Sequence, residues 1–143
     1  MEGARGRRLV VARWLFRITN PNFPDQRKRN HHQRVFVENR MEIANIRDAI
    51  LAEKLRITDH ADEEAVNDSL SMKEVFSSVM NGDVIETYSN DKPYPSCLIY
   101  GLNDDDEPIH SVWAYNKMNG YAVLITVYRP DPALWINFRE RKR

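Results

Sequence analysis

The sequence predicts an α+β domain in which N-terminal helices pack on a four-stranded antiparallel sheet and a C-terminal helix closes the chain. Three observations predict it. Apolar residues recur at helical spacing up to about residue 80, short β-branched and aromatic runs separated by turn clusters follow, and a proline-led amphipathic segment ends the sequence.

Each element has its own signal. From Met41, the apolar residues Ile43, Ile46, Ile50, Leu51 and Leu55 share one helical face, which predicts a first helix running to about Arg56. In ITDHADEEAVNDSL, Thr58 or Asp59 is placed to accept free backbone N–H groups, and Asp62, Glu63 and Glu64 suit the positive end of a second helix. Ser71 and Glu74 have capping-box spacing before Met72, Val75, Phe76, Val79 and Met80, and Asn81-Gly82 predicts a left-handed stop to this third helix. DVIETY, PSCLIYGL, IHSVWAYN and YAVLITVY then read as four strands of a meander, separated by SNDKPYP, NDDDEP and KMNG. Asp131 before Pro132 predicts the start of the last helix, ALWINFRERKR, with cationic residues at its negative end.

Length and composition fit one soluble domain, large enough at 143 residues to bury a core without disulfides or metal. The lone cysteine, Cys97, lies in an apolar run and reads as a buried small hydrophobe. Zero net charge hides an asymmetry: residues 1–40 carry ten Lys/Arg against three Asp/Glu, a net +7, and residues 41–143 carry eleven against eighteen, a net −7. The boundary therefore falls near Met41, with a basic extension over 1–40 and one α+β domain over 41–143. The extension fits a surface-binding anchor, a nucleic-acid arm or a poorly ordered leader, and the absence of any periodic pattern after GRRLVVARWLFRI favours the last. That run is too short, and too interrupted by Arg13, to span a bilayer. No membrane association and a cytoplasmic location are expected.

Chemistry-bearing residues are few. His60 falls in a helix's first turn, His110 on the third strand, and Arg129 with Tyr128 and Thr126 at the end of the fourth. If Asn119-Gly120 is a two-residue hairpin loop, residues paired across it have numbers summing to 239, which sets His110 opposite Arg129; a one-residue slip would substitute Tyr128 and turn Arg129 to the other face. Histidine moves protons near neutrality and arginine grips phosphate with two donors, so this set suits cleavage of RNA by attack of its own 2′-hydroxyl, a reaction that needs no metal or cofactor. Lys92, Arg139 and Arg141 are candidate phosphate contacts beside Thr126. Gly-rich phosphate loops, HExxH, paired CxxC and G-x-S-x-G motifs are all missing, and NDDDEP lacks the spacing of a calcium loop. For each candidate a plain structural role competes: a surface polar residue for His60, a satisfied core histidine for His110, an ion pair for Arg129.

The blocks ITDHA (57–61), NGDVIETY (81–88), KPYPSCLIYG (92–101), EPIHSVWAY (107–115) and LITVYRPDPALW (124–135) together resemble the family known as domain of unknown function 4258, over roughly residues 45–143. Its pattern carries a histidine before alanine, matched by His60, a histidine in a strand, matched by His110, and a T-x-Y-x-P ending, matched by Thr126, Tyr128 and Pro130. The resemblance implies a RelE-like toxin architecture. It also implies a toxin of a type II toxin–antitoxin module, a metal-independent RNA endonuclease (mRNA interferase), partnered by an antitoxin with a zinc-ribbon and helix-turn-helix. His60 and His110 would then transfer protons, with Arg129 and Tyr128 holding the phosphate. The chain departs from the pattern where Asp62, Glu63 and Glu64 replace an arginine-containing helix. That departure and the −7 charge keep open an alternative, an inactive relative acting as a protein–protein interaction module.

Overall fold

A computed structural model describes residues 42–143; the basic extension and the expected helix start at Met41 lie outside the described residues. Helix α1 (Ile43–Leu51) stops four residues before strand β1 (Leu55–Ile57). The stop is a Schellman turn without glycine: Glu53 takes φ 59°, its N–H donates to Ile50 O and the Lys54 N–H to Ala49 O. Because nothing in Glu53's chemistry announces that turn, the periodic pattern overran it, and Leu55 belongs to a strand rather than to the first helix.

Helix α2 (Asp59–Asn67) is capped by Thr58, whose hydroxyl accepts from Ala61 N at 3.0 Å and donates to Ile125 O at 2.9 Å. It ends in the same kind of turn, with Ser69 at φ 55° and the Leu70 N–H donating to Ala65 O. Helix α3 (Met72–Met80) carries the expected capping box, Glu74 N donating to Ser71 Oγ and Ser71 N to Glu74 Oε2. Its end differs from expectation. Asn81 has φ −104° and Gly82 is not left-handed; instead the Asn81 amide donates to Ser77 O and Leu102 O and its carbonyl accepts from Leu102 N.

Strands β2 (Asp83–Tyr88), β3 (Ser96–Leu102), β4 (Pro108–Asn116) and β5 (Tyr121–Tyr128) form the expected meander. The sheet is nevertheless five-stranded and mixed, in the order β1-β5-β4-β3-β2, because β1 adds to β5 in parallel. The C-terminal helix is absent. Trp135–Ile136 (β6) and Glu140–Arg141 (β7) pair as a small antiparallel hairpin instead, turned by Asn137 and Phe138 at φ 52° and 61°.

The reason lies in the two faces of the sheet. One side packs on the helices, with Ile99, Ile109, Trp113 and Leu124 against Ile46, Ala61, Val75 and Val79. The other side presents Ile85, Tyr88, Leu98, Val112 and Ile125, and Trp135 of the hairpin is buried among them. That apolar face needs cover, and strand alternation sends Trp135 inward while leaving Ile136 exposed.

Candidate active site

The hairpin between β4 and β5 sets the site's register. Asn116 pairs with Tyr121, so the loop holds four residues, Lys117 to Gly120, with Gly120 at φ 73° and its N–H donating to Asn116 O. Trp113 pairs with Leu124 but Val112 with Thr126, which makes Ile125 an extra, bulged residue. The two departures together set His110 opposite Tyr128 and not Arg129. Alternation then directs His110 and Tyr128 to the face beneath the C-terminal hairpin and Arg129 to the helical side.

His110 is 0% exposed. Its Nε2 lies 2.6 Å from Phe138 O, a carbonyl that can only accept, so Nε2 carries the proton and donates it. Nδ1 then accepts from the Tyr128 hydroxyl at 3.1 Å. Trp135 meets the imidazole edge-on with centroids 4.5 Å apart, and Tyr100, paired with His110 across β3 and β4, does so at 6.0 Å. Burial pushes the imidazole's pKa down to about 4, the Phe138 contact opposing the shift and the nearby Arg141 charge adding to it. Burial likewise raises the Tyr128 phenol above its ordinary value, so it stays a neutral hydroxyl.

Around this histidine stand two arginines from the hairpin. Arg141 makes a two-pronged pair with the buried carboxylate of Glu86, Nε to Oε2 at 2.7 Å and an NH2 to Oε1 at 2.8 Å, and its guanidinium lies 5.1 Å from the Trp135 ring centre. Tyr88 donates its hydroxyl proton to Glu86 as well. Burial works against the Arg141 charge, but the Glu86 hydrogen bonds and charge outweigh it and hold the guanidinium's pKa above its usual value. Arg139 pairs with Asp83 at 2.9 Å and lies 4.7 Å over the Tyr100 ring, so it roofs the same corner from outside.

Of the residues singled out by sequence, His110, Tyr128, Arg139 and Arg141 come together, and Thr126 is buried two residues from Tyr128 on β5. Lys92 stands exposed in the β2–β3 connection. His60 does not join them, because α2 packs on the opposite side of the sheet; the His60 Nε2 atom is buried and finds no hydrogen-bond partner among the described residues. Arg129 does not join them either. Its backbone N–H donates to Asp68 Oδ2 and its side chain to Asp68 O and Ser69 O, with Glu107 3.4 Å away, so the guanidinium caps the negative end of α2.

Glu86, Tyr88, Tyr100 and Trp135 escaped the sequence reading. The available signal was the carboxylate in DVIETY, which on an apolar strand face demands a cation, and Arg141 of the tail supplies it. Among the described residues no group of three or more His, Cys, Asp or Glu side chains is placed to hold a metal ion, and no helix is long and apolar enough to cross a membrane. Cys97 is buried on the helical side, and burial pushes its thiol up to about 12.

The neutral imidazole has a consequence for stability. Between pH about 6.5, the ordinary value, and about 4, the unfolded chain binds a proton that the native chain refuses, so stability present at neutral pH is lost as pH falls through that window. The loss attributable to His110 is on the order of 3 kcal/mol. Chemical denaturation at pH 7.5 and 4.5 is expected to show a larger drop for wild type than for His110→Gln; equal drops would refute this.

A comparison with known protein families matches residues 57–129, from the end of β1 to Arg129, to the family described as Domain of unknown function (DUF4258). No curated protein and no solved structure matches the chain.

Proposed function

The chain belongs to the family Domain of unknown function (DUF4258), and from that footing we propose that it is a metal-independent RNA endonuclease, the toxin of a type II toxin–antitoxin module. The observation that carries this reading is the gathering of one imidazole, the phenols of Tyr100 and Tyr128, and the guanidiniums of Arg139 and Arg141 on one sheet face. In the reaction the 2′-oxygen of RNA bonds to phosphorus as its proton leaves. The bond from phosphorus to the 5′-oxygen breaks, and that oxygen takes up a proton, which leaves a 2′,3′-cyclic phosphate and a 5′-hydroxyl.

His110 supplies the proton transfer in this reading. The Tyr128 hydroxyl both donates and accepts, so it supports either imidazole tautomer, and Nε2 can present a lone pair or a proton. Arg139 and Arg141 would meet the phosphate, whose growing negative charge competes with Asp83 and Glu86 for them. His60 and Arg129 have no part in it, since both sit with the helices. The RelE-like toxin relationship, the zinc-ribbon and helix-turn-helix antitoxin, and a cytoplasmic location belong to the same proposal and rest on the family resemblance.

One observation favours a second reading, a catalytically inactive interaction module: both ring nitrogens of His110 are engaged and its side chain is sealed. The test incubates the purified full chain with a labelled oligoribonucleotide in excess chelator. Fragments ending in 2′,3′-cyclic or 3′-phosphate are expected. Intact RNA at every protein concentration, and no growth arrest on induced expression, would decide for the interaction module.

A further inference from the structure

We propose that the β6–β7 hairpin is a built-in inhibitor of the His110 site, a strap that occupies the position of an incoming substrate and must lift before His110 can meet one. Only the consequence for RNA cutting rests on the nuclease reading above; the strap itself is argued from its contacts.

The hairpin plugs the site at three points. The Phe138 carbonyl takes the hydrogen bond of His110 Nε2, Trp135 covers the ring edge-on, and Arg141 latches onto Glu86. A carbonyl oxygen against Nε2 stands where a phosphate or hydroxyl oxygen would have to sit, so strap and substrate exclude one another.

The hairpin is also held against its own backbone preference. Asn137 and Phe138 both have positive φ, the sign pattern of a type I′ turn, closed by the Arg139 N–H donating to Ile136 O. Asparagine tolerates that region; phenylalanine does not, and such conformations persist only where the surroundings impose them. The strained residue is the one whose carbonyl caps His110. Each of its strands has two residues, and the outer residues Leu134 and Ile136 are exposed, so the strap is held by side-chain contacts, those of Trp135, Phe138 and Arg141 and the Arg139 pair with Asp83, rather than by a long strand ladder. The titratable and charged groups around the imidazole are Tyr100 of β3, Tyr128 of β5 and Arg141 of the hairpin; behind them Glu86 and Tyr88 of β2 hold Arg141, and Arg139 covers Tyr100.

The test reads His110 accessibility directly. Diethyl pyrocarbonate acylates exposed imidazoles, and peptide mass mapping separates His110 from the other histidines, with free Nα-acetylhistidine in the same reaction as the reference. In the full chain, Glu86→Gln with Arg141→Gln removes the latch without stranding a buried charge. His110 modification relative to the free reference is expected to rise about tenfold or more, because reactivity follows the population of the open form. Asn137→Val puts a β-branched residue at φ 52° on an exposed turn, leaves the sheet core untouched, and is expected to act in the same direction. An unchanged His110 rate in both variants, or in Asn137→Val alone should the double variant not fold, overturns the strap.

RNA cutting is assayed in parallel in Asn137→Val, which opens the strap while keeping Arg139 and Arg141, the residues that would meet the phosphate. Faster modification with faster cleavage supports both proposals. Faster modification without cleavage keeps the strap and sinks the nuclease. Cleavage by wild type with His110 equally protected in every variant sinks the strap alone.

Discussion

Replacing His110 by alanine is expected to lower the rate of RNA cleavage by about a hundredfold to ten-thousandfold, the span usually carried by a positioned general acid or base. The loss must be separated from a loss of folding, because His110→Ala also leaves the Phe138 carbonyl and the Tyr128 hydroxyl without their partner in a buried corner. Two companion variants make that separation. Tyr128→Phe keeps the volume and removes only the hydroxyl that steadies Nδ1; its rate is expected to fall by up to about tenfold, the scale of one lost hydrogen bond. His60→Ala changes a histidine on the other side of the sheet and is expected to cut at the wild-type rate per folded molecule. Should His60→Ala lose as much as His110→Ala, the site is not where the hairpin, Tyr128 and the two arginines place it.

That contrast between two histidines bears on what a single sequence reveals. Signals confined to a few consecutive residues were legible. Thr58 caps α2, Ser71 and Glu74 close a capping box, and β2 to β5 lie where turn chemistry divides the runs. Features that depend on counting across a turn were not. A loop two residues longer than Asn119-Gly120 alone, and one bulged residue at Ile125, moved the pairing number from 239 to 237 at Asn116 and to 238 at His110. Because strand faces alternate with a period of two, that odd net shift exchanged Arg129 for Tyr128 beside His110 and sent the guanidinium to the end of α2.

The other misreadings share a physical origin. Helices α1 and α2 both end on left-handed residues that are not glycine, Glu53 and Ser69, where tertiary packing overrides local preference. The final segment has proline, acidic cap and cationic tail in helical order, yet it forms a hairpin, because an uncovered apolar sheet face and the buried Glu86 carboxylate together demand Trp135 and Arg141 from it. Neither demand is local, and neither leaves a mark within the segment itself.

The largest effect on stability is expected at Gly101. An alanine Cβ there would stand 1.8 Å from the backbone oxygen of Ser78 and 2.6 Å from its carbonyl carbon, so the obstacle is the main chain of α3, not a side chain free to rotate. Relief requires α3 to lift away from β3, which opens the core beneath Val75 and Val79. Gly101→Ala is therefore expected to cost at least about 3 kcal/mol, the upper end of ordinary overpacking, and to lower the melting temperature by at least about 12 °C. Gly120→Ala supplies the contrast, because only its φ of 73° resists a side chain and the nearest atom is the flexible Lys54 Nζ at 3.8 Å; its cost should be about 1 kcal/mol. The Gly101 clash also reaches the site. Tyr100 precedes Gly101 on β3 and meets His110 of β4 on the same face of the sheet, so shifting the strand moves the ring that Arg139 roofs. Gly101→Ala molecules that do remain folded are expected to show altered His110 modification, whereas Gly120→Ala molecules are not. A Gly101→Ala protein melting within a few degrees of wild type would mean that α3 and β3 do not approach as closely as the Ser78 carbonyl requires.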